Sequence, residues 1–216
     1  MTDPGAYPVL WAVVAALLIA IPAGAAAAWS VGRFASDDAP SLLASIGVCA
    51  AVFAWGALVA AGPLDTGATL ALGWCLICLA AVDLLTLRLP DAFTLPLSAV
   101  GLGLAAVRGW SVFPNHLAGA VLGYAVFSLL ALAWRAWRGV DALGKGDAKL
   151  LAAAGAWLGW RPLPSVLLIA SLAALAFAGG RALLGRRALE RELAFGPFLA
   201  LGFWLAWLYG ASPMSA

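Results

Sequence analysis

The chain has 216 residues, of which 65% are hydrophobic and only 10% charged, with a formal net charge of +2. Soluble domains run at about 45–50% apolar and about 25% charged, so too few polar side chains are present here to cover a water-facing surface. In lipid, only helices or a closed barrel satisfy their own backbone; apolar, Ala/Leu-rich runs of about twenty residues without alternation select helices.

Taken in order, Met1–Tyr7 carries Asp3 and no basic residue. The apolar run that follows, about Pro8–Trp29, lacks the positive flank of a cleaved signal peptide and reads as a retained first span. A short polar loop, Arg33–Pro40, holds Asp37 and Asp38. Further spans are expected at about Ser41–Ala61, Ala68–Leu87, Ala92–Val107, His116–Trp137, Ala148–Gly159, Leu163–Leu184 and Leu193–Tyr209. The fourth and the sixth fall short of the ~20 residues that cross ~30 Å, which requires tilt, a start inside a loop or a thinned bilayer. The fold class is therefore all-α: a polytopic membrane helix bundle of about eight spans. No repeat or linker interrupts residues 1–216, which read as one domain.

Lysine and arginine decide the orientation. Alternate loops place Arg33, Arg88, Arg135, Arg138, Lys145, Lys149, Arg181, Arg186, Arg187 and Arg191 on one side, leaving only Arg108 and Arg161 of the twelve on the other. That asymmetry predicts both termini outside and the basic face in the cytoplasm. Cys49, Cys75 and Cys78 all lie within apolar runs. The Cys75/Cys78 spacing has no second cysteine pair, and His116 is the single histidine, so these read as small apolar residues rather than a metal or dithiol site. Paired glycines four apart, Gly119/Gly123 and Gly155/Gly159, permit close helix packing.

Charge is concentrated in the stretch Asp141–Leu151, where Asp141, Lys145, Asp147 and Lys149 stand between two apolar runs and Gly144 and Gly146 precede Asp147. A second carboxylate, Asp83, lies inside the third span, ~7 Å below Arg88 at ~1.5 Å per residue. An aspartate at such a position costs ~2.5–3.5 kcal/mol, so it is expected to face the bundle interior and to act there. The charge count puts Asp83 at the cytoplasmic end of span three and Asp147 at the cytoplasmic start of span six. Two facing carboxylates in a low-dielectric pocket share a proton. The ionised one then draws a proton from water while the other polarises a peptide carbonyl, which is aspartic proteolysis without a metal. Glycines at 144 and 146 leave room for an extended peptide strand.

Four blocks carry a resemblance to a known family. They are Asp83 with Leu89-Pro90-Asp91-Ala-Phe-Thr-Leu-Pro-Leu97; Gly119–Tyr124; Gly144-Lys-Gly-Asp147 running to Trp160; and Phe195-Gly-Pro-Phe-Leu-Ala-Leu-Gly202. In this order, over about Cys78–Gly202, the chain resembles the type IV prepilin peptidases, membrane aspartic proteases of the GxGD class. The resemblance implies Asp83 and Asp147 as the catalytic pair, with Gly144, Gly146 and Lys149 in the active-site loop and Asp91 in a supporting place. It implies a prepilin or pseudopilin substrate with a short basic leader, cut after a glycine at the cytoplasmic face of the bacterial inner membrane. Membrane lipid is the only other partner expected, with no nucleic acid. Larger relatives carry a cytosolic insert with two Cys-x-x-Cys pairs, associated with methylating the new N-terminus. Here the matching loop, about Gly32–Pro40, has no cysteine, so a peptidase-only short form without methyl transfer, zinc or S-adenosylmethionine is expected. The reading from another class is a proton-coupled carrier using the same aspartates, and it asks for polar residues along several spans. Presenilin-like and signal-peptide-peptidase-like proteases share the chemistry but match the Leu-Pro-Asp and Phe-Gly-Pro blocks less well.

Overall fold

A computed structural model of the chain describes residues 6–34, 41–59, 63–139, 144–183 and 193–210. The stretches around Asp37, Asp38, Asp141, Arg186, Arg187 and Arg191 lie outside them. Every element among the described residues is a helix: α1 Ala6–Phe34, α2 Leu42–Val59, α3 Pro63–Thr86, α4 Asp91–Arg108, α5 Phe113–Arg138, α6 Lys145–Leu158, α7 Leu163–Leu183 and α8 Gly196–Tyr209. α1, α3, α4, α5 and α7 are long and apolar enough to cross a bilayer, and α2 and α8 are shorter apolar helices. Large apolar side chains point outward along them, including Leu18, Leu168 and Leu175 at 65%, 61% and 70% exposure. Contiguous apolar surface on this scale is untenable in water and is the surface of a protein dissolved in lipid.

The expected spans are found, with shifted ends. α1 runs on to Phe34 because Arg33 suits the negative end of a helix, where its guanidinium stacks 4.8 Å over the Trp29 ring. α3 starts earlier than expected, at Pro63, a residue whose fixed φ favours the first helical turn. α8 starts later, at Gly196, with Pro197 in its first turn.

The chain divides after Thr86 into two compact units. In the first, α1 packs on both α2 and α3. The buried stripe of α1 is Ala16, Ala20, Gly24, Ala27 and Val31, small residues at helical spacing that draw the helices close. A Cβ at Gly24 would fall 2.5 Å from Ile46 Cα of α2. The Trp74 indole N–H donates to Ala23 O at 3.1 Å, which fastens α3 to α1. Cys49, Cys75 and Cys78 are free thiols on α2 and α3.

In the second unit α6 is the centre, packed against α4, α5, α7 and α8. It has 14 residues, ~21 Å of helix, too short for the hydrocarbon core. Its protein jacket removes the mismatch: Asp147, Ala148, Leu150, Leu151 and the whole run Ala153–Leu158 are buried, so lipid scarcely meets this helix. α5 runs antiparallel to it at backbone contact, since a Cβ at Gly119 would lie 2.5 Å from Gly155 O and one at Gly123 2.5 Å from Leu151 O. α4 runs parallel to α6, its Leu97 carbonyl accepting the Trp157 indole N–H at 2.7 Å. His116 is buried, with Nδ1 3.0 Å from Ala156 O. A carbonyl only accepts, so Nδ1 carries the proton and His116 satisfies a carbonyl in the last turn of α6.

Trp157→Phe keeps an aromatic ring but removes that buried donor and part of the buried volume. The expected cost is about 2–3 kcal/mol, read as a lower unfolding midpoint in detergent, with Trp160→Phe as the exposed control.

Basic residues separate between the two ends of this unit. Arg88, Arg135, Arg138, Lys145, Lys149 and Arg181 flank the starts of α4 and α6 and the ends of α5 and α7, while Arg108 and Arg161 mark the opposite end.

Candidate active site

Asp147 stands in the first turn of α6 and is buried at 9% exposure. Gly144 is the N-cap, with φ −67 and ψ 129, and its carbonyl accepts the Asp147 N–H at 3.1 Å. That backbone is open to any residue, so the need for glycine here is spatial. A Cβ at Gly144 would come 3.1 Å from Asp147 Oδ2. The carboxylate thus folds back over the bare α-carbon of Gly144. Gly146 serves a different neighbour: a Cβ there would lie 2.7 Å from the Cβ of Leu89. Its absence lets the first turn of α6 lie flat against the segment that leads into α4.

Gly144→Ala is expected to displace the Asp147 carboxylate with the fold retained, which lowers turnover roughly tenfold where that carboxylate is the reacting group. Gly146→Ala should act on the fold as well, since Leu89 is itself buried and must move. Rates and unfolding midpoints measured on both variants separate the two roles.

Asp83 belongs to the first unit, in the last turn of α3, and is buried at 5% exposure. Next to it Val82 packs on Val31 of α1, and the Val82 carbonyl accepts the Thr86 hydroxyl at 2.8 Å. The helix stops at Thr86, and Leu87 follows with φ 55, a left-handed conformation that a bulky residue rarely takes. The two carboxylates therefore meet opposite ends of helix dipoles. Asp147 lies at the positive N-terminal end of α6, and Asp83 lies at the negative C-terminal end of α3.

Asp91 is the first residue of α4 and follows Pro90, the N-cap. It forms an ion pair with Lys149 Nζ, at side-chain exposures of 56% and 29%. Within the second unit the structure thus gathers Gly144, Gly146, Asp147, Lys149 and Asp91 at one end, with Leu89 among them. The Lys149–Asp91 pair and the seat of Leu89 on Gly146 were not read from the sequence. One signal was available: residues two apart on a helix point to different sides, so Lys149 had to find a partner other than Asp147.

Residues 70–179 match the type IV leader peptidase family. The chain is 42% identical over 147 residues to a prepilin leader peptidase/N-methyltransferase of Aeromonas salmonicida, covering 68% of this chain and 50% of that one. It is 42% identical over 163 residues to a protein of the same name from Burkholderia pseudomallei, covering 73% and 51%. An Escherichia coli relative of that name is 42% identical over 179 residues, 80% of this chain and 76% of its own. The chain thus spans about half the length of the first two and about three quarters of the third. No solved structure matches it.

Proposed function

The chain belongs to the type IV leader peptidase family, and on that premise we propose that Asp83 and Asp147 form the catalytic dyad of a prepilin or pseudopilin leader peptidase. The observation that carries the proposal is the burial of a carboxylate at each of two helix ends inside an otherwise apolar protein. Buried carboxylates in membrane helices are costly and are retained for function.

A proton-sharing pair divides the labour. The ionised carboxylate takes a proton from the attacking water, while the protonated one donates a hydrogen bond to the scissile carbonyl. As the tetrahedral intermediate collapses, the proton gained from water passes to the leaving amine, and the pair keeps its single shared proton for the next cycle. Gly144, bare of a side chain, admits the Asp147 carboxylate over its α-carbon and so sets where that group stands. In this reading Lys149 and Asp91 support the site and do not touch the bond being cut.

The proposed cleavage takes place at the cytoplasmic face of the inner membrane. The support is the crowding of Arg88, Arg135, Arg138, Lys145, Lys149 and Arg181 at the Asp147 end of the second unit. The matched relatives are named as both peptidase and N-methyltransferase. For this chain peptidase activity alone is proposed, because the loop about Gly32–Pro40 holds no cysteine.

The test is cleavage by the purified chain, in detergent or nanodiscs, of a pilin precursor carrying its leader. Mass spectrometry should find a product that begins after the leader glycine and has an unmethylated N-terminus. A precursor left intact, in the presence of a chain that drives counterflow of a solute, would overturn the peptidase reading in favour of a carrier.

A further inference from the structure

We infer that the Lys149–Asp91 ion pair is a positioning latch that holds the first turn of α6, and Asp147 with it, against the segment entering α4. The inference rests on the reading of Asp147 as a catalytic carboxylate and adds two residues that set its place without touching substrate.

Three observations converge. Lys149 follows Asp147 by two positions, which on a helix turns the side chains to different sides; the Lys149 ammonium is engaged with Asp91. Asp91 opens α4 directly after Pro90, and Leu89 on the far side of that proline lies against Gly146. One short segment, Leu89–Asp91, is therefore tied to the start of α6 at both ends, by apolar contact at Gly146 in its first turn and by charge at Lys149 just beyond it. Lastly, the N-cap of α6 is a glycine with no side chain to cap the turn, so the contacts of Leu89–Asp91 add restraint that the cap does not supply.

A pair this exposed contributes little to global stability. Its effect belongs where small displacements are amplified, in the geometry of a reacting group. The latch thus predicts a change in kcat out of proportion to any change in Tm.

The experiment uses the full chain with a pilin precursor and compares Asp91→Asn, Lys149→Met and the charge-reversed pair Asp91→Lys with Lys149→Asp. Each single variant is expected to lose kcat about tenfold, with KM within about twofold and the Tm nearly unchanged; the reversed pair is expected to regain kcat to within about threefold of the parent. A single variant with parental kcat would overturn the latch. So would a raised KM at constant kcat, which would assign these residues to substrate binding, or a reversed pair no faster than the singles, which would mean that the charges act separately. Hydrogen exchange gives a readout independent of cleavage. The Asp147, Ala148 and Lys149 amides should exchange faster in Asp91→Asn and regain protection in the reversed pair. Unchanged exchange sinks the latch even in a chain that cleaves. A latch-dependent exchange in a parent chain that does not cleave sinks the peptidase reading instead and leaves the restraint standing.

Discussion

Asp147→Asn and Asp83→Asn are each expected to lower precursor cleavage by about 10⁴-fold or more, and the double variant should be scarcely slower than either single. General acid–base help from one group is worth about 10²–10⁴-fold, and the carboxylate that takes the proton from water also returns it to the leaving amine while its partner holds the carbonyl. Neither half retains its function when the other is neutralised, which is why the losses should not add. Stability should move in the opposite sense. Both side chains are buried, at 5% and 9% exposure; a neutral isostere relieves the cost of holding charge away from water at the ionised member of the pair and leaves the charge of the protonated member unchanged. An unfolding midpoint equal to or above that of the parent, together with lost cleavage, would separate chemistry from folding. Normal cleavage by either variant removes that aspartate from the dyad.

The second large effect is structural. Gly155→Val is expected to destabilise the chain by about 3 kcal/mol or more, the upper range for forced overpacking. An added Cβ at Gly155 would run into Gly119 O, Gly119 C and Ala120 N of α5, all of them backbone atoms that no rotamer can move aside. The helices would have to part, and α6 would lose the face that holds it in place. Gly103→Ala is the control. That glycine lies inside α4 with nothing within 4 Å of an added Cβ, so the substitution should be neutral or gain up to about 1 kcal/mol from helix propensity. Unfolding in mixed detergent, followed by tryptophan fluorescence, reads both. Similar midpoints for the two variants would mean that the α5–α6 contact is looser than its geometry implies.

The parts legible from residue order were those that hydropathy and charge report directly. Apolar runs located the helices to within a few residues, because lipid leaves the backbone no other solution. Asp83 and Asp147 stood out because an ionisable group in an apolar run is expensive. The shortness of the span that became α6 was also visible, but its remedy was not. Tilt or a thinned bilayer are answers for a helix that meets lipid, whereas this one is enclosed by α4, α5, α7 and α8. Gly119, Gly123 and Gly155 announced close packing without naming a partner, since small residues mark a contact face and carry no address. Lys149 and Asp91 were brought to the site only by the family resemblance, one in the loop and one in support, with no tie between them. Their pairing depends on α4 and α6 running side by side in the same direction, a tertiary fact that neither local pattern contains. The two glycines of Gly144-Lys-Gly-Asp147 likewise read alike in sequence, although one clears a carboxylate and the other admits Leu89.

The enclosed position of α6 bears on how the protein is made. A 14-residue segment that begins Lys145-Gly-Asp147-Ala-Lys149 is a poor candidate for release into lipid alone, being too short for the hydrocarbon and charged in its first turns. Its glycine-lined contact with the long apolar α5 allows the two to enter the membrane as a hairpin, the first arm carrying the second. Charged first turns that would oppose insertion of an isolated helix then stay at the membrane surface until α4, α7 and α8 close around them. The segment bearing Asp147 is in that sense a passenger during biogenesis, and its seat exists only once its neighbours have arrived.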